Sequence, residues 1–492
     1  MKLFFFLIGL LSAGLAYSQS SFMSVFQNDR SFFTSVLRFT DGGYILSGYE
    51  KFIDGTSFSV AHSAIVKTDS SGNVEWSKAT SSSAFHVFDA ALRYDNSIAV
   101  AGMMETSLAS FDPNGNLLWA KDLDMTTHAV KCTKDSGLIV CGEKYDSTFG
   151  FIPGLAKLNS VGDTLWIKYY KATAEQTAVS VIQAEDEGFI FLVRQSSNVF
   201  PKKISLIRTN NTGDTIWTRS IDQAEGSALT DAGDGNFIIA GILNNNGCII
   251  KMDTTGNVAW GKEFNSGAFT RFFSVNKTAD DGFILAGSKR TVGTGVNDIV
   301  LVRTNSFGDT LWTRTIESPG HEEAYSAIED DDGNIIVAGF WNTTSGLLLK
   351  TDANGMGACF VGQPTFSIQS SNLLFSTDTI VIMPGTRDSL ITPVLINGFP
   401  SQPLCITGLE GIAGDNDFVA SPIPFTGNLN LVGLRKGGTI SIFEMTGKMV
   451  YCIDLPLDEI SIHLDFLANG IYILTYKNSR NGISVNKKII KE

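Results

Sequence analysis

Residue types that carry catalytic or metal chemistry occur in this chain of 492 residues, but they form no recognisable motif. The sequence has no His-Glu-x-x-His zinc motif, no Cys-x-x-Cys pair, no Gly-x-Ser-x-Gly nucleophile motif and no phosphate-binding glycine loop. Its five histidines are scattered: His62, His86, His128, His321 and His463. We therefore predict no catalytic residue, no metal site and no bound cofactor.

One acidic run, Asp330-Asp331-Asp332-Gly333-Asn334, invites comparison with a calcium loop. It lacks the alternating ligands and the distant glutamate of an EF-hand loop. An acidic turn between two strands is the better interpretation, because aspartate, glycine and asparagine favour turns.

Tryptophans are the most regular feature, recurring about every 47 residues along much of the chain. They are Trp76, Trp119, Trp166, Trp217, Trp260 and Trp312. In a hairpin turning at Gly72, Trp76 would lie opposite Lys67, and most copies repeat this pairing of a cation with an indole. We expect the cation to lie over the indole and the tryptophans to be structural, because a binding site normally breaks a repeat rather than following it.

Two short phrases, each typical of a β-hairpin, make up the repeat. The first is a β-branched strand that ends in glycine, as in Phe283–Gly287 and Ile335–Gly339. The second turns at a glycine three residues after an Asx residue, in seven copies: Gly72, Gly115, Gly162, Gly213, Gly256, Gly308 and Gly355. An Asx-turn followed by a residue with positive φ explains this spacing.

Two hairpins per repeat predict a four-stranded propeller blade, so the fold class is all-β: a seven-bladed β-propeller over residues 19–360. Eight blades are an alternative. Residues 22–27 resemble an outer strand without a blade of its own, and we expect them to pair with residues 346–352 and close the ring.

Two families of propeller enzyme resemble the second hairpin. The tryptophan-docking motif of quinoprotein dehydrogenases shares the Gly-to-Trp spacing, but its aspartate lies one residue further from the glycine. The Asp-box of sialidases is more compact and fits less well. These resemblances imply a quinone-dependent or a glycan-cleaving enzyme as the alternative function.

Six cysteines are too few for a disulfide scaffold in a chain of this length. Cys132 and Cys141 would lie on opposite strands of one hairpin, which leaves a disulfide between them open. Cys359 occupies the tryptophan position of the last hairpin, and we predict its disulfide partner to be Cys405. Cys248 and Cys452 are expected to be unpaired.

The termini and the overall charge predict export. Residues 1–18 combine Lys2, a short apolar run and small residues before Gln19, which is typical of a secretory signal peptide. No later stretch is long and apolar enough to predict a transmembrane segment. The net charge of −13 argues against a nucleic-acid partner, because such proteins normally carry a basic face.

Beyond the ring, we predict a Ser/Thr/Pro-rich linker with some extended structure over residues 361–417, and a small β-sandwich over residues 418–492. The latter resembles the C-terminal sorting domain (type A) of type IX secretion cargo. The residues that carry this resemblance are Pro422, Pro424, Phe425, Gly447, Lys448, Gly470, Tyr472, Lys487 and Lys488. The resemblance implies the type IX secretion machinery as a partner, and a final location at the cell surface or outside the cell.

Together these features favour a monomeric binding or adhesion protein that has no catalysis of its own and recognises an unknown extracellular glycan or protein. Rigid rings commonly hold ligands in their variable loops. The longest insertions into the repeat are Tyr49–Ser63, Glu143–Gly154, Gln195–Lys203 and Lys289–Asp298. Carboxylates clustered at the channel mouth would favour an enzyme, whereas a channel lined only by small residues would count against one.

Overall fold

The structure, a computed structural model, describes residues 21–491 with internal gaps. The gaps are 27–30, 54–58, 81–86, 103–106, 172–175, 196–201, 291–292, 294, 319, 343–344, 358–360, 363–365, 371–374, 377–379, 385–388, 391–394, 397–400, 408–418, 422–425, 427, 433–438, 445–448, 455–458, 466 and 478–483. The predicted signal peptide lies outside the described residues. The chain divides into two compact units, Met1–Gly408 and Leu409–Glu492.

The first unit is built of antiparallel sheets, and each sheet takes four consecutive strands in chain order. Strand β1 is Ser21–Phe26. The first three sheets contain β2 (Ser31–Arg38), β3 (Tyr44–Ile53), β4 (Ser59–Thr68) and β5 (Val74–Thr80); β6 (Val87–Leu92), β7 (Ile98–Gly102), β8 (Leu108–Phe111) and β9 (Leu117–Asp122); and β10 (Thr126–Cys132), β11 (Leu138–Asp146), β12 (Gly150–Leu158) and β13 (Thr164–Lys171).

The next four sheets continue the same order. They contain β14 (Gln176–Gln183), β15 (Phe189–Gln195), β16 (Lys203–Thr209) and β17 (Thr215–Asp222); β18 (Ala224–Asp231), β19 (Asn236–Leu243), β20 (Asn246–Asp253) and β21 (Val258–Asn265); β22 (Thr270–Lys277), β23 (Phe283–Arg290), β24 (Asn297–Thr304) and β25 (Thr310–Ile316); and β26 (Glu323–Glu329), β27 (Ile335–Trp341) and β28 (Ser345–Thr351). Strand β1 is the fourth strand of the last sheet.

Adjacent sheets pack face to face around a closed ring. Within the described residues, seven apolar clusters each join two neighbouring sheets, and one of them joins the seventh sheet to the first. The middle strands are buried on both faces, which explains their continuous β-branched and aliphatic sequences. The chain therefore forms a β-propeller, as its repeat predicts.

Strand β1 closes the ring, as predicted. It pairs antiparallel with β28, with Phe22 opposite Lys350 and Phe26 opposite Gly346. The last sheet thus joins residues from near the start of the chain to residues more than 300 positions later, so it leaves no open seam.

Residues 361–407 differ from the predicted linker, because they add a fifth strand to every sheet of the ring. We call this segment the belt. Its strands are β29 (Val361–Gly362), β30 (Ser367–Ser370), β31 (Phe375–Ser376), β32 (Val381–Pro384), β33 (Ser389–Leu390), β34 (Leu395–Ile396) and β35 (Ser401–Thr407). They visit the sixth sheet first, then the fifth down to the first, and finally the seventh, so the belt runs round the ring against the direction of the blades.

The belt covers strand edges that would otherwise be exposed. Each belt strand pairs antiparallel with the outermost strand of its sheet, and β35 lies along β1, with Cys405 opposite Met23. Apolar belt residues also extend the ring core: Phe366 packs near Phe264, with ring centroids 6.1 Å apart. Unpaired edges expose backbone hydrogen-bonding groups and promote aggregation, so the belt satisfies a physical need of the ring.

The second unit is a small sandwich of two antiparallel sheets. Its strands are β36 (Val419–Ser421), β37 (Asn428–Val432), β38 (Thr439–Glu444), β39 (Met449–Asp454), β40 (Glu459–His463), β41 (Gly470–Lys477) and β42 (Ser484–Lys491). Their order is β36-β37-β40 in one sheet and β39-β38-β41-β42 in the other. One buried cluster, including Leu431, Ile440 and Leu474, is shared by both sheets.

The described residues include no helix at all, and hence no helix long and apolar enough to cross a membrane.

Removing the belt should weaken the ring. A chain that ends at residue 360 loses the fifth strand of every sheet and frees one side of β1, so we expect its Tm to be at least about 5 °C lower than that of a chain ending at Gly408. Differential scanning calorimetry measures both chains, and light scattering measures aggregation. Equal Tm values would contradict a stabilising role for the belt.

Candidate functional site

The two faces of the ring differ in kind. Connections between first and second strands, and between third and fourth strands, lie on one face, which we call the turn face. The remaining connections lie on the opposite face, which we call the mouth face. All four insertions singled out in the sequence connect second strands to third strands, so they share the mouth face.

Tryptophans join neighbouring blades on the turn face. The indole Nε1 of Trp76 donates to the carbonyl oxygen of Pro113 at 3.0 Å, in the turn of the next blade. Trp217 and Trp312 make the same bond to Thr254 and Ala353. These three tryptophans therefore connect one blade to the next.

Each indole lies against the glycine of the next turn. A Cβ atom at Gly115 would come within 2.9 Å of the Trp76 ring, and one at Gly308 within 2.6 Å of Trp260. In the closing blade, Phe22 takes the place of tryptophan and lies against Gly72. All seven predicted turn glycines have positive φ, and the Asx side chains accept backbone N–H bonds in the predicted Asx-turns.

The cation predicted to lie over each indole is in the predicted register but makes a different contact. Lys67 is opposite Trp76, yet its side chain is buried and its Nζ lies 2.7 Å from Asp41 in the neighbouring turn. An ion pair between a buried cation and a turn aspartate recurs in five further sheets: Lys157–Asp135, Arg208–Asp186, Lys251–Asp234, Arg303–Asp280 and Lys350–Asp330. The sheet in which Ser110 replaces the cation instead buries Arg93.

The cation over the indole comes from two residues further along the same strand. Examples are Lys168 over Trp166 at 5.9 Å and Arg314 over Trp312 at 5.2 Å. Alternate residues of a strand lie on the same face of the sheet, so a cation two residues after the tryptophan can lie over the indole. The cross-strand cation instead pairs with an aspartate. The expected cation–π pair exists, but sequence reasoning chose the wrong cation because it did not foresee the ion pair with the turn aspartate.

The Asp330–Lys350 pair is the most buried of these ion pairs, with both side chains less than a tenth exposed. Burial by itself raises the pKa of Asp330, but hydrogen bonds from Lys350 and Asn334 outweigh it, so the pKa lies below its ordinary value. Burial lowers the pKa of Lys350, but hydrogen bonds to Asp330 and Tyr44 outweigh that effect and raise it. The acidic run at residues 330–334 is thus a hairpin turn with a structural ion pair.

A central channel of about 520 Å³ passes through the ring and is lined by the first strand of every sheet. Each of these strands has a β-bulge near its start, and the bulged residue lines the channel. The seven bulged residues are Thr34, Phe88, His128, Val179, Ser227, Phe273 and Tyr325. Bulges depend on pairing between strands, so sequence reasoning did not find this ring of residues.

Polar side chains inside the channel bind neighbouring strands. Ser180 Oγ accepts the backbone N–H of Leu229 at 3.0 Å. Asp89 accepts the backbone N–H of Val130 at 3.1 Å and the Lys131 ammonium at 2.8 Å. The carboxylate of Asp89 therefore connects adjacent blades.

Aromatic side chains surround one side of the channel mouth. We call Phe32, Tyr49, Phe273, Tyr325 and Phe340 the aromatic arc. Ring centroids of successive members lie 4.9–5.9 Å apart, and four of the five side chains are partly exposed. The arc comes from the first, sixth and seventh sheets.

Two of the described carboxylates at the mouth, Glu143 and Glu225, lie beside basic groups. Glu143 Oε2 lies 2.5 Å from His128 Nε2. Glu225 lies 3.7 Å from the cationic groups of both Lys202 and Arg271. Within the described part of the mouth, the lining is therefore not of small residues alone, and Glu143 and Glu225 come from separate sheets and have separate partners.

Glu323 is held in place by three donors. Its oxygens accept hydrogen bonds from Tyr325 Oη at 3.0 Å, Asn297 Nδ2 at 2.6 Å and Ser288 Oγ at 3.4 Å. Burial and the nearby Glu323 carboxylate raise the pKa of Tyr325, so its hydroxyl stays protonated and donates.

One mouth-face insertion, Glu143–Gly154, forms the extended end of the β11–β12 hairpin. Tyr145 is 65% exposed, and Phe149 and Phe151 are also exposed. The rings of Tyr145 and Phe151 lie 5.4 Å apart. Exposed aromatic groups of this kind commonly mark interaction surfaces.

Cys132 and Cys141 are not bonded to each other. Their backbones are not opposite each other, because Cys132 pairs with Leu138 and Cys141 with Ala129 in the strand register. Both are free thiols, and so is Cys248. Cys359 lies outside the described residues, so its predicted bond to Cys405 stays a prediction. Cys452 lies on β39, opposite Ser441.

The predicted sorting-domain residues divide between described and undescribed positions. Gly470 and Tyr472 lie on β41, and Lys487 and Lys488 lie opposite Leu474 and Ile473 on β42. The Tyr472 side chain is buried in the sandwich core, and its hydroxyl donates to the carbonyl oxygen of Ala468 at 2.8 Å. The other five lie outside the described residues: Pro422, Pro424, Phe425, Gly447 and Lys448.

Residues 421–492 match the family described as the secretion system C-terminal sorting domain. No curated protein matches the chain.

Similar solved structures have low identity. A protein of unknown function from Bacteroides caccae is 12% identical, with TM-score 0.39, over 51% of this chain and 89% of that chain. A gluconolactonase from Xanthomonas campestris is 11% identical, with TM-score 0.37, over 66% and 97%. PorZ, a surface component of the type IX secretion system of Porphyromonas gingivalis, is 9% identical, with TM-score 0.15, over 96% and 100%.

Replacing Gly308 tests the contact between blades. Gly308→Ala and Gly267→Ala both place a side chain at φ of +74°, but only the former meets a tryptophan, since nothing lies within 4 Å of Gly267. We expect Gly267→Ala to cost about 1–2 kcal/mol of unfolding free energy. Gly308→Ala should cost at least about 1 kcal/mol more, because the methyl group displaces Trp260. Urea unfolding measures both, and equal losses would contradict the docking role.

Neighbouring aspartates test the buried ion pair. Asp330→Ala leaves the Lys350 ammonium buried without its carboxylate and should cost about 3–5 kcal/mol of unfolding free energy at pH 7. Asp331→Ala removes an 84% exposed carboxylate and should cost no more than about 1 kcal/mol. Equal costs in urea unfolding would contradict this difference.

The pH dependence of the same pair has a defined sign. The pKa of Asp330 is lowered on folding, so its contribution is present above about pH 4 and is lost as the pH falls through the folded value. The pKa of Lys350 is raised, so its contribution is present below about pH 10.5 and is lost as the pH rises through the folded value. The stability difference between wild type and Asp330→Ala should therefore be largest between these limits.

Proposed function

We propose that this cargo of type IX secretion, which its sorting domain directs to the cell surface or out of the cell, is a binding or adhesion protein without catalysis of its own. The ligand is held at the mouth face of the propeller. The sorting domain supplies the destination, and the ring supplies a rigid platform for recognition.

The contrast between the two faces carries this proposal. On the turn face, the same tryptophan contacts, Asx-turns and buried ion pairs recur from blade to blade, so these residues serve the ring itself. On the mouth face, the repeat is broken by insertions, by the aromatic arc and by exposed Tyr145. Divergent loops on a rigid scaffold are where proteins commonly bind ligands.

The paired carboxylates support binding rather than acid–base catalysis. Glycoside hydrolysis normally uses two carboxyl groups that face one bond, one of which has a raised pKa. Glu143, Glu225 and Glu323 come from the third, fifth and seventh sheets, and each has its own partner. Burial raises the pKa of Glu322, but that side chain is fully buried and accepts hydrogen bonds from Ser318 and Asn342. Asp89, within the channel, connects adjacent blades.

A binding screen with mouth and turn-face variants tests the proposal. The purified full chain is screened against arrays of glycans and extracellular proteins, beside the mouth variant Tyr49→Ala and the control Tyr94→Ala. Tyr94 is 71% exposed and lies at the other end of the channel. We expect Tyr49→Ala to reduce binding at least about tenfold and Tyr94→Ala to leave it unchanged.

Two results of this screen would overturn the proposal. Binding that is insensitive to Tyr49→Ala and sensitive to Tyr94→Ala would place the ligand away from the mouth face. Release of product from a bound glycan, or quinone-dependent oxidation of a substrate, would instead establish the alternative, a propeller enzyme.

Export has a separate test. Deleting residues 418–492 should retain the protein in the periplasm, because the sorting domain is the part recognised by the secretion machinery. Fractionation and surface protease digestion locate the protein, with His463→Ala as a control, since that side chain is 74% exposed. Undiminished surface display of the deleted chain would refute the assignment.

A further inference from the structure

The two sides of the channel mouth have different chemistry. The aromatic arc occupies the side formed by the sixth, seventh and first sheets, and Tyr325 and Phe273 continue it into the channel. On the side formed by the third, fourth and fifth sheets, the channel is lined by His128, Val179 and Ser227. A ligand in this mouth therefore meets aromatic rings on one side and smaller, more polar side chains on the other.

Hydrogen-bonding groups beside the arc are fixed before any ligand arrives. Glu323 is oriented by Tyr325, Asn297 and Ser288. Glu225 and Arg271 lie 3.7 Å apart, which is longer than a direct hydrogen bond, so a ligand hydroxyl can bridge them. Preoriented groups of this kind recognise hydroxyls with little ordering cost.

Two of the carboxylates at the mouth have basic neighbours. Glu225 has Lys202 and Arg271 as neighbours, and Glu143 has His128. Glu323 accepts its hydrogen bonds from neutral donors rather than from a cation. An anionic ligand would have to draw Lys202 or Arg271 away from Glu225, and leaving a charge without its partner is costly. A cationic ligand would have to compete with the three donors that already bind Glu323.

We infer that the ligand is a neutral saccharide, bound with one face of a sugar ring on the aromatic arc and its hydroxyls directed to Glu323, Glu225 and Arg271. A sugar ring combines an apolar C–H face with a hydroxylated edge, which fits the two kinds of group at the mouth. This inference rests on the proposed function, because it names the ligand class of the same site.

Calorimetric titration of the purified full chain tests the inference. The neutral probes are cellotriose, mannotriose and chitotriose, and the anionic probes are sialyllactose and trigalacturonate. We expect a neutral trisaccharide to bind and Tyr325→Ala to weaken it at least about tenfold. Tyr325→Phe keeps the ring but removes one of the three donors to Glu323, so it should bind more weakly than wild type and more tightly than Tyr325→Ala.

Two further variants guard against a folding defect. Tyr49→Ala removes a partly exposed member at the end of the arc, so it should weaken neutral-sugar binding without unfolding the ring. Tyr94→Ala, at the other end of the channel, should bind as wild type does. Circular dichroism and the Tm check that each variant is folded.

The outcomes separate the inference from the proposed function. Binding of only anionic sugars, or of only proteins, that is lost in Tyr49→Ala overturns the neutral-saccharide inference and leaves the proposed function standing. Neutral-sugar binding that none of the arc variants weakens overturns the inference and the mouth location together. Hydrolysis of a bound neutral sugar overturns the non-catalytic function but not the ligand class.

Discussion

The propeller depends on the contact between the indole of a tryptophan and a glycine in the turn of the next blade. Trp260 against Gly308 shows the geometry: the turn takes positive φ, and a methyl group there would come within 2.6 Å of the indole. The same contact links successive blades, and Phe22 supplies it where the ring closes. Since a closed ring is only as stable as its weakest interface, one strong contact repeated between blades suits the architecture better than a single large core.

The belt meets a second requirement of the ring, which is protection of its outer edges. Four-stranded blades leave an outer strand with unpaired backbone groups, and the belt pairs with each of these strands in turn. Its last strand lies along β1, so the closing strand is held on both sides. The ring therefore includes residues up to Thr407, and its boundary lies well beyond the last tryptophan repeat.

Separation of structural and variable residues follows from the strand connections. Short turns on one face carry the aspartates that pair with buried cations and the glycines that contact the tryptophans. The opposite face receives the longer connections and the starts of the first strands, where bulges turn side chains such as Phe273 and Tyr325 toward the channel. This arrangement leaves the mouth free to differ between blades while the ring stays intact.

The sequence by itself determined the repeat, the turn glycines with their Asx residues, the role of β1 and the sorting domain, because each depends on residues close together in the chain or on a regular spacing. Only the tertiary structure decided which cation lies over each indole, since the choice between Lys157 and Lys168 at Trp166 depends on an aspartate in another turn that pairs with Lys157. The belt was missed because its strands are two to seven residues long and pair with sheets formed far earlier in the chain. The aromatic arc was missed for the same reason: Phe32 and Phe340 lie about 300 residues apart and meet only when the ring closes.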